Sequence, residues 1–322
     1  MKDSKMKVLI TRSIPEQFVT RLSQYAEVEV YGETMKPMPR EALLESAKDK
    51  DIIISMLSDA MDKTLMDSNP NLKAIINLAV GYDNIDIDYA HKKGIIICNT
   101  PDVLTETTAE LAFTLMLVTA RRIIEASTLV KEGNWVGWSP YLLAGLDVDG
   151  KTVGIFGMGS IGVALARRCK GLNMYIQYHN RSESKYAKEL GADYVSFEEL
   201  LKTSDFVICT APLTSETQDI FNQSAFSKMK NSAIFINVGR GGHVVEQDLL
   251  DAIQQQTIYA AGVDVLNDEP VGRDHPFLTE ERITVLPHIG SATKDTRDAM
   301  IERCIINAEQ IIRGKSPVSE VK

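Results

Sequence analysis

The amino-acid sequence predicts an α/β protein with two doubly wound parallel sheets. Short runs of β-branched and other apolar residues alternate with helical patterns along most of the chain. These runs are apolar at nearly every position instead of every second position, which is typical of parallel strands covered on both faces. The length of 322 residues exceeds the usual size of a single core, so we expect two domains.

The first series of predicted strands lies before residue 100, and helix-like stretches separate its members. Its five runs are KVLIT, VEVY, DIIISM, KAIINLA and GIIICN. A second series starts at Lys151 and follows the same rhythm. Its seven runs are KTVGIFG, MYIQYH, YVSF, DFVICTA, AIFINVG, AAGVDV and ITVLPH. Strands that alternate with helices in this way indicate successive βαβ units, and therefore parallel sheets.

A helix is predicted between the two series, within residues 102–130. Its sequence TETTAELAFTLMLVTARR begins with capping residues and ends with two arginines, an order that suits the helix dipole. The stretch from Leu111 to Val118 carries more apolar surface than one sheet face needs. We therefore expect a homodimer that buries this stretch, with Trp135 and Trp138 in or beside the interface. Another helix is predicted over residues 293–314, where a glycine ends it.

The composition narrows the possible classes of function. A net charge of −9 argues against a nucleic-acid partner and disfavours an anionic membrane surface. The four cysteines form no CxxC pair, so we expect buried free thiols in a reducing compartment and no metal site. The N-terminal MKDSKMKVLI lacks a secretory signal, and the longest apolar run, ELAFTLMLVTA, is too short to span a membrane. These features predict a cytoplasmic protein.

A glycine-rich turn follows the first strand of the second series. In VGIFGMGSIG, Gly157, Gly159 and Gly162 have GxGxxG spacing, and the helical pattern SIGVALARRCKGL follows at once. In the dinucleotide fingerprint, Gly157 would make the turn, Gly159 would let the backbone approach the pyrophosphate, and Gly162 would let helix and strand pack closely. The free N–H groups at the helix start favour phosphate. We therefore expect a dinucleotide at this turn.

The end of the next strand predicts which dinucleotide is preferred. An acidic residue commonly stands there and accepts hydrogen bonds from the ribose hydroxyls of NAD. In IQYHNRS the corresponding residues are Asn180, Arg181 and Ser182, and none of them is acidic. Arg181 can pair with a 2′-phosphate through its planar guanidinium group. The sequence therefore predicts that NADP(H) is preferred, with NAD(H) possible.

Three residues suited to catalysis follow three successive predicted strands. Arg240 follows AIFINVG, Glu269 follows AAGVDV across a short loop, and His288 follows ITVLP. Hydride transfer to a 2-oxo acid needs a fork-shaped cation for the carboxylate and carbonyl, an acid for the nascent alkoxide, and a carboxylate that fixes the tautomer of a histidine acid. The other histidines have no such neighbours and are predicted at a helix end, at a strand end near the ribose, and in two loops: His91, His179, His243 and His275.

Several motifs in this order resemble those of the D-isomer-specific 2-hydroxyacid dehydrogenases: NLAVGYDNID, GMGSIG, NVGRG, GVDVLNDEP and LPHIGSAT. The resemblance runs from about residue 50 to residue 295. It implies a Rossmann cofactor domain, residues 101–289, inserted into a flavodoxin-like substrate domain formed by residues 1–100 and 290–322. It also points to a homodimer.

The resemblance implies a role for individual residues. Arg240 would clamp the substrate, Glu269 would orient the catalytic group, and His288 would be the general acid/base. The residues implied to bind substrate are Leu57, Val80, Gly81, Arg240 and His288, with backbone N–H groups near Val80 and Gly81 on its carboxylate. Asp264 would contact the nicotinamide carboxamide. The full implied cofactor set is Gly157, Met158, Gly159, Ser160, Ile161, Gly162, Asn180, Arg181, Ser182, Ala211, Pro212, Val238, Asp264 and Gly290.

Within the family, the segment GNWVGWSPYLLAG is most similar to glyoxylate/hydroxypyruvate reductases, which reduce a small 2-oxo acid with NAD(P)H. A 2-ketogluconate reductase is the alternative within the same family. An NAD(H)-sensing corepressor-like binding protein is the alternative from a different class, since such relatives can retain the three catalytic residues.

Overall fold

The computed structural model describes residues 5–322. The strands are β1 (Lys7–Ile10), β2 (Glu27–Val30), β3 (Ile52–Ser55), β4 (Ala74–Asn77), β5 (Ile96–Cys98), β6 (Thr152–Phe156), β7 (Tyr175–His179), β8 (Ala192–Tyr194), β9 (Phe206–Cys209), β10 (Ile234–Asn237), β11 (Ala260–Val263) and β12 (Ile283–Val285). The helices are α1 (Glu16–Ser23), α2 (Arg40–Ala47), α3 (Lys63–Ser68), α4 (Ile87–Lys92), α5 (Thr105–Ala120), α6 (Ile123–Lys131), α7 (Ser160–Lys170), α8 (Ala187–Leu190), α9 (Phe197–Thr203), α10 (Gln223–Phe226), α11 (Glu246–Gln254) and α12 (Lys294–Ile312).

The chain divides into two compact units. Unit 1 consists of the residues up to Leu104 together with Ala292–Lys322, and unit 2 consists of Thr105–Ser291. In unit 1, five parallel strands form one sheet in the order β2-β1-β3-β4-β5, which is the flavodoxin-like order. Strands β3 and β4 are buried along their whole length, which explains why their isoleucines occupy consecutive positions.

Unit 2 contains a parallel sheet of seven strands in the order β12-β11-β10-β9-β6-β7-β8. Counted from β6, this is the Rossmann order 3-2-1-4-5-6 with a seventh strand added at one edge. The direction of winding reverses between β6 and β9, which are neighbours in the sheet. Ligands of such sheets bind beyond the carboxyl ends of the strands at this reversal.

The predicted strand YVSF is placed too late in the sequence. The observed strand β8 ends at Tyr194, and Ser196 instead begins a helix because its hydroxyl group accepts the N–H of Glu199. A serine followed three residues later by a glutamate is a helix-start pattern, and here it outweighs the β propensity of Val195 and Phe197. The other predicted runs each overlap an observed strand.

The helix predicted between the two series is divided in two. Helix α5 ends at Ala120, and Arg122 adopts a left-handed conformation with φ of 52° before α6 begins. The arginine pair therefore marks the end of α5, as the dipole pattern predicts, but the chain turns and forms another helix. In the Leu111–Val118 stretch, Leu115 and Met116 are buried within unit 2.

The predicted C-terminal helix is confirmed, and the structure adds a cap at its start. Thr293 precedes α12, and its hydroxyl oxygen accepts the N–H of Thr296 at 3.3 Å. Gly314 follows the helix with φ of +67°, a conformation that favours glycine. Helix α12 belongs to unit 1, where it packs against β4 and α1.

Candidate active site

The loops that follow the strands of unit 2 lie at the carboxyl-terminal edge of its sheet, because all seven strands run parallel. The glycine-rich turn follows β6, and Ala211–Pro212 follow β9. Arg240, Glu269 and His288 lie in the loops after β10, β11 and β12. The fold therefore brings the predicted catalytic residues and the predicted dinucleotide turn to one edge of one sheet.

The glycine-rich turn has the geometry that a dinucleotide requires. Gly157 has φ of +93°, and a Cβ atom there would lie 2.5 Å from the backbone of Ala211, so only glycine fits. A Cβ atom at Gly159 would meet nothing within 4 Å, which leaves the turn open to a ligand at this position. Helix α7 begins at the next residue, and the N–H groups at a helix start bind phosphate. The turn therefore fits a pyrophosphate group.

A cavity of about 430 Å³ lies beside this turn. Its walls contain aromatic, hydroxyl and charged side chains from the ends of β6, β7 and β9 and the loops that follow: Phe156, Gly157, Gly159, His179, Asn180, Arg181, Ser182, Thr210, Ala211, Pro212, Thr214, Glu216, Thr217 and Ile220. Seven of the residues predicted to bind cofactor are among them. The predicted cofactor residues that do not line this cavity are Met158, Ser160, Ile161, Gly162, Val238, Asp264 and Gly290.

Asn180 and Arg181 both line the cavity, but only the side chain of Asn180 is hydrogen-bonded to the glycine-rich turn. Asn180 Oδ1 accepts the N–H of Met158 at 2.6 Å, and its Nδ2 donates to the Met158 carbonyl at 3.2 Å, so this side chain fixes the glycine-rich turn. The side chain of Arg181 is exposed. Within residues 5–322 the Arg181 guanidinium group makes no hydrogen bond or ion pair, and it is available to an anion in the cavity.

His288 and Glu269 form a hydrogen-bonded pair. His288 Nδ1 lies 2.7 Å from Glu269 Oε2, and Glu269 Oε1 accepts the N–H of Leu266 at 3.0 Å. Partial burial works to raise the pKa of Glu269. The hydrogen bond and charge of His288, the Leu266 N–H and the charge of Arg240 outweigh burial, so this pKa lies below its usual value. Because the carboxylate holds Nδ1–H, the Nε2 atom of His288 is the one that can exchange a proton with a ligand.

Asp264 fixes the loop that carries His288. Its carboxylate oxygens accept the N–H groups of Ile289 and Gly290, each at 2.8 Å, and its backbone oxygen accepts the N–H of His288 at 2.8 Å. The φ of His288 is 55°, a conformation that costs about 1–3 kcal/mol outside glycine. These three hydrogen bonds hold it there. Asp264 is 1% exposed, and burial raises the pKa of its carboxyl group. Its predicted contact with the carboxamide stays a prediction.

Arg240 begins a 3₁₀ turn formed by Gly241–His243. The Asn237 side chain donates to the Arg240 carbonyl at 2.8 Å, and Arg240 Nη1 donates to the Gly239 carbonyl at 2.9 Å. The backbone and the guanidinium group of Arg240 are therefore both held by residues at the end of β10.

His243 is a residue of this site that sequence reasoning missed. The prediction of a loop is wrong here, because His243 completes the 3₁₀ turn and is fully buried. Its Nδ1 accepts the N–H of Arg240 at 3.1 Å, and its Nε2 lies 3.2 Å from the carbonyl oxygen of Pro212. The histidine thus joins the arginine turn to a cavity-lining residue. Two consecutive glycines, Gly241 and Gly242, precede His243, and such a pair is typical of a loop in a sequence. The sequence pattern therefore did not predict the 3₁₀ turn.

The other residues predicted to bind substrate belong to unit 1. Leu57 follows β3, and Val80 and Gly81 follow β4, so all three lie at the carboxyl-terminal edge of the five-stranded sheet. Each of them is half-buried.

All four cysteines are buried and unpaired, which confirms the predicted free thiols: Cys98, Cys169, Cys209 and Cys304. Burial raises the pKa of the first three thiols to about 12.

Among residues 5–322 there is no group of three or more histidine, cysteine or acidic side chains that could hold a metal ion. Over the same part of the chain, no helix combines the length and apolar character needed to cross a membrane.

Known proteins resemble this chain over nearly its whole length. The profile described as D-isomer specific 2-hydroxyacid dehydrogenase, NAD binding domain, matches residues 113–290. Glyoxylate reductase from Pyrococcus furiosus is 44% identical over 318 residues, which cover 97% of this chain and 94% of that protein.

Two solved structures show the same architecture. A protein from Thermus thermophilus has a TM-score of 0.92 at 36% identity, with 98% of this chain and 100% of that chain covered. The NADPH-dependent glyoxylate/hydroxypyruvate reductase from Sinorhizobium meliloti, solved with NADP and malonate, has a TM-score of 0.88 at 32% identity, with 99% and 97% covered.

Fold and site together are those of an oxidoreductase that uses a nicotinamide dinucleotide. The chain belongs to the D-isomer specific 2-hydroxyacid dehydrogenase family. The family resemblance predicted from the motifs is therefore confirmed, and the two strand orders confirm the predicted pair of parallel α/β sheets.

Proposed function

We propose that this protein reduces a small 2-oxo acid of the glyoxylate or hydroxypyruvate type to the corresponding 2-hydroxy acid. The observation that carries the proposal is the His288–Glu269 pair, which lies at the same sheet edge as the glycine-rich turn. The 44% identity to a glyoxylate reductase over 97% of the chain supports this substrate class.

In the proposed mechanism, Arg240 binds the substrate carboxylate and carbonyl oxygen through its planar guanidinium group. The chemistry that the cofactor supplies when bound is hydride transfer to the carbonyl carbon. His288 Nε2 donates a proton to the carbonyl oxygen as negative charge develops there. Glu269 keeps the other proton on Nδ1 and so fixes the tautomer and the direction of the ring.

The remaining predicted residues have supporting roles in this proposal. The turn from Gly157 to Gly162 binds the pyrophosphate through the start of α7. Asp264 positions the His288 loop and would contact the carboxamide of a bound nicotinamide. Backbone N–H groups of Val80 and Gly81 bind the substrate carboxylate, and Leu57 lines the substrate site.

We propose that NADPH is preferred over NADH. The support is the absence of an acidic side chain among Asn180, Arg181 and Ser182, together with the unpaired, exposed guanidinium group at the cavity. A 2′-phosphate there would gain a charge-assisted hydrogen bond from Arg181 and would meet no carboxylate from these three residues.

We also propose a cytoplasmic homodimer. Unpaired buried thiols support a reducing compartment. Support for the dimer comes from residues 123–142, where helix α6 has no buried residue and several large apolar side chains face solvent. Val136 is 100% exposed, Tyr141 86% and Trp138 82%, and several exposed apolar residues so close together in the sequence favour an interaction surface.

The proposed function is tested by measuring initial rates with glyoxylate, hydroxypyruvate, 2-ketogluconate and pyruvate, each with NADPH and NADH under one set of conditions. We expect the highest kcat/KM for glyoxylate or hydroxypyruvate with NADPH. A higher value for 2-ketogluconate would replace the proposed substrate. Cofactor binding without turnover of any of these acids would contradict an enzymatic role and favour a cofactor-sensing binding protein.

A further inference from the structure

The loop after β4 is held by its carbonyl groups. The carbonyls of residues 79–81 accept, in chain order, a hydrogen bond from Thr100 N at 2.9 Å, from Asn99 Nδ2 at 2.8 Å and from Asn77 Nδ2 at 2.9 Å. Three consecutive peptide units are therefore anchored by three different donors, two of which are asparagine side chains.

These anchors determine where the N–H groups of the same peptide units point. In a planar trans peptide, the carbonyl group and the following N–H point in opposite directions. The N–H groups of Val80, Gly81 and Tyr82 are therefore turned away from the donors that hold the carbonyls. Within residues 5–322, none of the hydrogen bonds uses these three N–H groups. Val80 and Gly81 are half-buried and Tyr82 is exposed, so an anion can reach them.

The amide of Asn77 has its orientation fixed by a further network. Asn77 Oδ1 accepts the hydroxyl of Ser55 at 3.0 Å, and Asn77 Nδ2 also donates to Asn84 Oδ1 at 3.0 Å. Asn84 Nδ2 in turn donates to the carbonyl of Asp59 at 2.9 Å and to that of Met56 at 3.2 Å. The network therefore holds the loops after β3 and β4, which carry all of the unit 1 residues predicted to bind substrate.

We propose that Asn99 and Asn77 are positioning residues that orient the N–H groups of residues 80–82 to bind the carboxylate of the substrate. They act through the backbone carbonyls and do not touch the substrate. Asn77 is fully buried and Asn99 is 9% exposed. This inference rests on the proposed function, because the anion is the carboxylate of a 2-oxo acid.

Asn99→Leu tests the inference, because leucine has a similar size and no donor. Without the bond from Asn99 Nδ2 to the Val80 carbonyl, the Gly81 N–H of the same peptide unit is no longer held toward the carboxylate. We expect KM for glyoxylate and the inhibition constant for malonate to rise about tenfold or more, the usual effect of losing the hydrogen bond between that N–H and a charged group. A carboxylate contact is present in both the ground state and the transition state, so kcat at saturation should change far less than KM. NADPH binding, followed by fluorescence titration, should be unchanged.

Asn69→Leu is the matched control. Asn69 is a buried asparagine of the same unit, and its Nδ2 donates to the carbonyls of Ala47 and Lys50 at 2.7 and 2.6 Å. It precedes β4, whereas the N–H groups of residues 80–82 follow that strand. Its substitution should lower the unfolding temperature and leave KM and malonate inhibition unchanged.

Malonate-induced thermal stabilisation separates failure of this inference from failure of the proposed function. If the unsubstituted protein reduces none of the acids, but malonate stabilises it and does not stabilise Asn99→Leu, the substrate assignment fails and the inference stands. Asn99→Leu with unchanged KM and malonate response would overturn the inference, as would the absence of any malonate effect on the unsubstituted protein. If Asn99→Leu does not fold, Asn99→Ser, with a shorter side chain, is compared by the same measurements.

Discussion

A 2.7 Å hydrogen bond joins His288 to Glu269, and it leaves only Nε2 of His288 for the proposed proton transfer. We expect His288→Asn to lower kcat by about 10²- to 10⁴-fold, the usual contribution of a positioned acid, with cofactor binding unchanged. His275→Asn is the control, since His275 Nε2 lies 3.1 Å from Glu246 Oε2 in a similar pair of the same unit. Near-normal turnover in His288→Asn would remove this residue from the mechanism.

The lowered pKa of Glu269 predicts the acid limb of the activity profile. A carboxyl group with a lowered pKa keeps its charge, and its stabilising interaction, until the pH falls through that lowered value. We therefore expect kcat/KM to persist below about pH 4.3, the ordinary pKa of glutamate, before it falls.

The pH profile of Glu269→Gln checks this assignment, because an amide does not titrate. The variant should have a lower plateau and no acid limb over the range in which circular dichroism shows that it stays folded. An acid limb at the same pH in both proteins would assign it to another group.

Arg181 is the residue whose change should separate the two cofactors. Arg181→Ala should raise KM for NADPH by about tenfold, the lower part of the range for a hydrogen bond to a charged group, because the site is exposed. KM for NADH should stay nearly constant. Arg167→Ala, another exposed arginine of unit 2, serves as the control. Equal loss of both cofactors, or a preference of the unsubstituted protein for NADH, would reject the proposed 2′-phosphate contact.

Sequence order predicts which residues follow which strand, and this is why the positions of Arg240, Glu269 and His288 after β10, β11 and β12 could be predicted without coordinates. It does not predict hydrogen bonds between loops. The clamp of Asp264 on the His288 loop depends on two strands being neighbours in the sheet, with β11 pairing with β12. The burial of His243 depends likewise on the contact between the loops after β9 and β10. Such contacts join residues that are remote in sequence, so no local pattern reports them.

At the scale of single elements, two glycines of the glycine-rich turn should have different roles, Gly157 in the stability of the fold and Gly159 in the binding of the cofactor. Gly157→Ala places a methyl group against the Ala211 backbone at positive φ, so we expect a loss of stability greater than about 1–2 kcal/mol in urea unfolding. Gly159→Ala meets open space, so its stability should change by less than about 1 kcal/mol. NADPH should nevertheless bind this variant more weakly, because in the proposed site the methyl group would occupy the open space at Gly159 that the pyrophosphate needs. Normal NADPH affinity in Gly159→Ala would contradict this placement.

Element boundaries were predictable where an end signal stands alone and less so where two signals compete. Thr293 and Gly314 flank α12 without a rival pattern, and the helix predicted over residues 293–314 is observed as Lys294–Ile312. At Val195–Phe197 a β-branched residue and an aromatic residue favour a strand, while Ser196 favours a helix start. The hydrogen bond from the Glu199 N–H decides between them, and sequence propensity alone does not weigh it.

At the scale of the whole molecule, the exposed apolar side chains of residues 123–142 predict the oligomeric state. We expect light scattering at micromolar concentration to give the mass of a dimer. Trp138→Asp should shift the mass toward that of a monomer, because a charge in an apolar interface is costly. Tyr175→Asp is the control, since Tyr175 is 70% exposed on β7 of the same unit. A monomeric unsubstituted protein would reject the dimer.

The position of α12 has a consequence for synthesis on the ribosome. Its buried face supplies part of the core of unit 1, including Met300, Cys304 and Ile305, and the residues after it reach β5 through the bridge between Cys98 and Glu320. Translation runs from the N-terminus, so every residue of unit 2 emerges before unit 1 receives its last helix. The nascent unit 2 can therefore reach its folded state while the N-terminal part of unit 1, which ends at Leu104, still has an uncovered sheet face. Chaperone binding during translation should concentrate on that face.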